Sequence, residues 1–87
     1  MRVVLDFINI DTKQKLFSLF NNNFSFNEEC YNLDALHDEL TSICIETEIV
    51  IKNIDDCLNS LGDYINILKN VFKDVEEECE YIHIVYE

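Results

Sequence analysis

Residues 32–40 read NLDALHDEL, and this stretch says most about how the chain folds. Leu33, Leu36 and Leu40 lie at positions i, i+3 and i+7, which share one face of a helix with 3.6 residues per turn. Asn32 precedes them, and its side-chain oxygen can accept a hydrogen bond from a backbone N–H of the first turn. The stretch therefore predicts a helix that begins after Asn32, buries its leucines and runs to about residue 43 or 44.

The same helix presents two acids on a different face. Asp34 and Asp38 are four residues apart, so their side chains lie about one turn from each other. Like charges at this spacing destabilise an isolated helix by roughly 0.2–0.5 kcal/mol. The helix dipole offsets about 0.3–1 kcal/mol for an acid in the first turn, which favours Asp34 more than Asp38. Such a pair forms either an ordinary solvated surface or a binding site for a cationic partner.

The pattern Asn-Leu-Asp-Ala-Leu-x-Asp-x-Leu over residues 32–40 resembles the signature of the barstar family, the intracellular inhibitors of secreted bacterial ribonucleases. Every fixed position of that pattern is present. The order of apolar and helical segments, the length and the acidity also agree with the family. The resemblance implies one barstar-like α/β domain over residues 1–87.

Three apolar runs rich in β-branched and aromatic residues predict strands at residues 3–7, 48–52 and 81–86. About 40 and 30 residues of mostly helical chain separate them, which requires crossover connections rather than hairpins. The sequence thus predicts a small three-stranded parallel sheet packed with three to four helices, and it leaves the strand order open. The aliphatic runs at residues 3–7 and 48–52 further predict strands that are covered on both faces.

Capping and stop signals place the other helices. Asp11 followed by Gln14 is a capping-box arrangement, which predicts a helix from Thr12 to about Phe20. The asparagines at 21–23 are expected to stop it. Gly62, the only glycine, suits a left-handed end to a short helix and precedes a longer helix at residues 63–78.

Four cysteines occur, Cys30, Cys44, Cys57 and Cys79, and none forms a C-x-x-C pair. The spacing gives no support for zinc. In the absence of a secretion signal, reduced thiols are expected. We expect Cys30 in a loop and the other three in or beside the core.

The composition narrows the class of partner. The formal net charge is −12, from 18 acids against 6 lysines and arginines. Such a chain repels nucleic acids and anionic membranes and attracts basic proteins, although acidity can also serve solubility alone. Met1 and Arg2 lead straight into a predicted strand rather than a signal peptide, so we expect a cytoplasmic protein. No nucleophile–base pair or phosphate-binding glycine loop is visible, which predicts neither an enzyme nor a cofactor.

The resemblance assigns roles to individual residues. It implies that Asp38 enters the active site of a basic, barnase-like ribonuclease, that Asp34 flanks it, and that Asp74 on the long helix adds a further acid. A one-to-one complex and a free monomer are expected. The full predicted partner-binding set is Tyr31, Asn32, Leu33, Asp34, His37, Asp38, Thr41 and Asp74.

Two departures from the family pattern leave an alternative open. The family usually carries a Tyr-Gly turn before the motif, whereas this chain has Glu29, Cys30 and Tyr31 without glycine. The family's well-known member has tryptophan where this chain has His37. The alternative function is a divergent acidic domain of the same fold that binds another basic protein or toxin. A metal or enzyme site on His37, Asp38 and Glu39 is disfavoured, because adjacent helical residues point about 100° apart.

Overall fold

The computed structural model describes residues 1–87, and three parallel strands form its single sheet. The strands are β1 (Arg2–Asp6), β2 (Thr47–Lys52) and β3 (Ile82–Tyr86), in the order β1-β2-β3. Ile49 of β2 pairs with Val3 of β1 and Ile84 of β3. The predicted three-stranded parallel sheet is confirmed, and the structure supplies the strand order.

The crossovers between the strands are helical. Helices α1 (Lys13–Asn23) and α2 (Leu33–Thr41) connect β1 to β2. A 3₁₀ helix (Ile54–Cys57), α3 (Leu58–Leu61) and α4 (Asp63–Glu78) connect β2 to β3. Gly62 separates α3 from α4 with a φ of 56°, a backbone region that glycine adopts without steric cost.

The sequence predicts that β1 and β2 are both covered on two faces. Only the central strand, β2, is buried on both faces, so the prediction is wrong for β1. Val3 and Leu5 are buried, whereas Arg2, Val4 and Asp6 are exposed. On the opposite face, Val4, Val50 and Val85 lie in register in one row, with 39%, 0% and 37% of their surfaces exposed. The aliphatic run in β1 therefore reflects strand propensity and one covered face.

Helix α1 begins and ends later than predicted. Thr12, not Asp11, is its N-cap, and the Thr12 hydroxyl accepts from the Lys15 backbone N–H at 3.1 Å. Asp11 instead forms an ion pair with the Lys15 ammonium at 2.8 Å. At the other end α1 runs through Asn23, whose amide donates to the Leu19 carbonyl at 2.7 Å and so satisfies a last-turn acceptor.

Aromatic and aliphatic side chains fix the helices on the sheet. The fully buried Phe20 lies 6.2 Å from Phe7 of the chain after β1 and 5.9 Å from Phe72 of α4, between ring centroids. Leu36 and Leu40 of α2 are also fully buried, as the leucine spacing predicts. Each such side chain contributes about 1.5–3 kcal/mol of burial free energy. The α2 backbone is thereby held against the core while its other face stays in solvent.

All four cysteines are free thiols. Cys30, Cys57 and Cys79 are buried, and Cys30 lies in a loop as expected. Cys44 is exposed, and the prediction of a core position is wrong because α2 ends at Thr41. None of the helices combines the length and the apolar character that a membrane-spanning segment needs.

Candidate protein-binding site

Asn32 starts α2 in the predicted way. Its backbone is extended, and its side-chain oxygen accepts from the Ala35 N–H at 2.8 Å. Replacement of such a cap by alanine costs about 0.5–2 kcal/mol, so this bond fixes where the helix begins. Asp34 consequently lies in the first turn, near the positive end of the helix dipole.

The loop before α2 is held without the family's glycine. The Asn21 amide donates to the Cys30 carbonyl at 3.0 Å, and its oxygen accepts from the Cys30 N–H at 2.9 Å. Positive φ angles occur at Asn9, Asn53 and Gly62 but at no residue of this loop. The loop has therefore been redrawn so that Cys30 needs no strained conformation. Burial raises the pKa of the Cys30 thiol, and the nearby charge of Glu39 raises it further.

Tyr31 extends from this loop beside the start of α2. Its side chain is 71% exposed, and its hydroxyl donates to the carboxylate of Glu29. That hydrogen bond and the charge of Glu29 raise the pKa of the Tyr31 phenol above its ordinary value of 10. The ring leaves a large amphipathic surface in solvent, of the kind enriched at protein interfaces.

Asp34 and Asp38 are both exposed on α2. The Asp38 side chain is 83% exposed, and its only charged contact is the His37 ring, 3.6 Å from Asp38 Oδ1 to His37 Nδ1. No lysine or arginine forms an ion pair with either aspartate. The ion pairs of the cationic side chains are with other acids: Asp11, Glu48, Asp55 and Glu87. Both carboxylates are free to accept hydrogen bonds from a cationic partner.

His37 joins α2 to α4. Its Nε2 atom hydrogen-bonds a carboxylate oxygen of Glu78, and its side chain is 31% exposed. Partial burial acts to lower the pKa of His37, but the carboxylates of Glu78 and Asp38 outweigh it and raise this pKa above 6.5. Glu78 belongs to an acidic run with Glu76, Glu77 and Glu80 at the end of α4. The structure gives it a defined partner.

Asp74 is exposed on α4, one turn before Glu78. His37, in the middle of α2, contacts Glu78 at the end of α4, and beyond both helices the Cys79 thiol donates to the Ile43 carbonyl at 3.5 Å. Helices α2 and α4 precede the neighbouring parallel strands β2 and β3, so both helices lead to the same edge of the sheet. Asp74 precedes Glu78 by one turn of α4, and Asp34 precedes His37 by about one turn of α2. We call Asp34, Asp38, Asp74 and Glu78, with His37 between them, the acidic face.

The remaining predicted residues lie at the margins of this face. Leu33 is half-buried and packs against the core. The Thr41 hydroxyl donates to the carbonyl oxygens of His37 and Asp38, at 2.9 and 3.2 Å, so it is occupied within its own helix. The sequence missed Glu78, because only the packing of α4 on α2 brings it to His37, 41 residues away along the chain.

The acidic face consists of four carboxylates and one imidazole, so it offers mainly hydrogen-bond acceptors. Carboxylates fixed on packed helices can receive short, charge-assisted hydrogen bonds from arginine, lysine or protonated histidine. No three histidine, cysteine or acidic side chains are grouped so that they could hold a metal ion. The fold and this face define a small α/β protein that presents exposed carboxylates from two adjacent helices.

The sequence matches the family described as "Barstar (barnase inhibitor)" over residues 1–86 of its 87. The chain belongs to the barstar family, whose description is that of an inhibitor rather than an enzyme. A comparison with curated proteins gave no match.

Proposed function

We propose that this protein inhibits a basic, secreted, barnase-like ribonuclease by filling its active site with the acidic face. The observation that carries this function is the state of Asp34 and Asp38. Both aspartates are exposed and unpaired with any lysine or arginine, on a helix anchored by the buried Leu36 and Leu40. Membership of a family of barnase inhibitors supports the same function.

A ribonuclease holds the phosphates of RNA with arginine, lysine and histidine side chains. Carboxylate oxygens can take the same hydrogen bonds and neutralise the same charges. Because α2 is already ordered by its cap and its buried leucines, the carboxylates lose little conformational entropy on binding. In this arrangement Asp38 occupies the phosphate-binding centre, and Asp34 and Asp74 meet cations at its edges.

Other parts of the chain support the contact. Tyr31 supplies an exposed ring beside the first turn, with Asn32 and Leu33 next to it, and Thr41 borders the far end of the helix. The family resemblance implies a glutamate at the position of Asp74, and the aspartate side chain is one methylene shorter. The protein would act in the cytoplasm as a monomer that forms a one-to-one complex.

The charge distribution favours rapid capture of a basic partner. The net charge is −12, and Lys15, Lys52 and Lys69 are each paired with acids outside the acidic face. Opposite fields accelerate association, and salt screens them over a Debye length of about 10 Å at 0.1 M. Association with the ribonuclease should therefore slow by at least about tenfold between 50 and 500 mM salt.

Titration of barnase activity on a fluorogenic RNA substrate tests the proposal. The expected result is loss of activity that is complete at one equivalent of this protein, with an association rate that falls as salt is raised. Full ribonuclease activity in the presence of excess protein at low salt would contradict it for barnase.

A second candidate function is capture of a different basic protein, and the state of His37 favours it. Its ring nitrogen is engaged by Glu78, so position 37 does not offer the large free aromatic surface of the family's well-known member. Under this alternative barnase stays active, while another basic protein or toxin forms a salt-sensitive complex that Asp38→Asn abolishes.

A further inference from the structure

His37 lies at the centre of the acidic face rather than at its edge. One ring nitrogen hydrogen-bonds Glu78 on α4, and the other is 3.6 Å from an oxygen of Asp38 on α2. The imidazole therefore bridges the carboxylates of two helices. The same oxygens are those that a cationic partner would have to contact.

The charged groups around His37 are all acidic. Asp38 of α2 and Glu78 of α4 contact its ring, Asp34 lies about one turn before it on α2, and Asp74 lies one turn before Glu78 on α4. The α4 lysines lie elsewhere. Lys69 pairs with Asp55 at 2.7 Å, and Lys73 lines a groove with Ile84 and Tyr86 beside β3. A protonated His37 is thus the only cation within the acidic face, and it neutralises part of the charge presented to a partner.

We infer that binding of a cationic partner expels the proton of His37, so that affinity for the partner rises with pH. The partner's arginine or lysine replaces the imidazolium as the hydrogen-bond donor to Glu78 and as the positive charge beside Asp38. The neutral imidazole remains, and the released proton passes to solvent. This regulation rests on the proposed function, because it requires a basic partner at the acidic face.

The direction and the size of the effect follow from linkage. In the free protein the neighbouring carboxylates raise the pKa of His37 above 6.5. In the complex the partner's positive charge lowers it. Between those two values binding releases up to one proton, and the association constant rises by at most about tenfold per pH unit. Above the pKa that His37 has in the free protein, this histidine no longer changes the affinity.

Calorimetric titration of barnase with the intact protein from pH 5.5 to 8.5 tests this inference. Three proteins are compared: wild type, His37→Gln and His83→Gln. His83 is a matched control, because it also contacts a carboxylate, Glu46 at 2.7 Å, yet lies in β3 outside the acidic face. Titrating groups of barnase affect all three proteins equally, so the ratios of affinities isolate the histidines.

The expected result is that the wild type and His83→Gln gain affinity with pH at least about threefold more than His37→Gln. Repetition at pH 6.5 in buffers of different ionisation enthalpy should count more protons released on binding by the wild type than by His37→Gln. If all three proteins bind with parallel pH profiles, His37 has no such role, and the proposed function stands. If none binds barnase at any pH, the proposed function for barnase fails, and the inference fails with it.

Discussion

Two hydrogen bonds between Asn21 and Cys30 hold the loop that a glycine turn forms elsewhere in the family. Their removal should lower the free energy of unfolding. The backbone N–H and C=O of the fully buried Cys30 bond the Asn21 side chain at 2.9 and 3.0 Å. Asn21→Ala removes both of these partners. An unsatisfied buried polar group costs about 1–3 kcal/mol. Since the two bonds are only partly buried, water recovers some of this, and we expect a total loss of about 2–3 kcal/mol.

Urea unfolding followed by circular dichroism measures this loss. With a slope of about 1 kcal/mol per molar urea for a domain of this size, the midpoint should fall by about 2–3 M. Asn22→Ala is the matched control, because Asn22 is the next residue of α1 and is exposed. Its stability should change by no more than about 0.5 kcal/mol. Equal midpoints for the two variants would refute the view that Asn21 holds the loop.

Two further predictions concern stability. Thr12→Ala should lower the free energy of unfolding by about 1 kcal/mol, and Asp11→Ala by less, because Thr12 is the cap of α1; thermal melts that rank them in the opposite order would restore the Asp11 cap. The raised pKa of His37 stabilises the folded state below pH 6.5, and this contribution disappears as pH rises through the folded value. His37→Gln should therefore destabilise the protein more at pH 6 than at pH 9 in urea titrations, and an equal loss at both values would count against the bridge to Glu78.

The sequence was sufficient for the three parallel strands and for the position of α2, but not for the strand order. Strand spacing demanded parallel crossovers, and the leucine spacing identified the buried side chains Leu36 and Leu40. It was insufficient where two local signals competed. Asp11 and Thr12 are both good caps, and a lysine four residues after Asp11 offers that acid an ion pair instead. Likewise, the aliphatic residues of β1 are compatible with a strand that is buried on one face or on both.

For the site, the sequence indicated the exposure of Asp34 and Asp38 through the face they share. The partners of His37 could not be predicted, because the contact with Glu78 depends on the packing of two helices far apart in the chain. The sequence shows that the loop before α2 lacks the family's glycine, and only the structure identifies Asn21 as the residue that holds it. Local chemistry is readable from sequence, whereas long-range pairing requires the fold.

In the proposed complex, Asp38 on α2 meets the cations of a ribonuclease active site. The most direct test is the affinity for barnase of Asp38→Asn, with Asp56→Asn as the control. Both substitutions remove one exposed negative charge, and Asp56 lies in the 3₁₀ helix beside Lys69 and Tyr86. We predict that Asp38→Asn weakens binding by about 2 kcal/mol or more, about 30-fold, whereas Asp56→Asn changes it by less than about threefold. Equal, small losses for both variants would contradict the account.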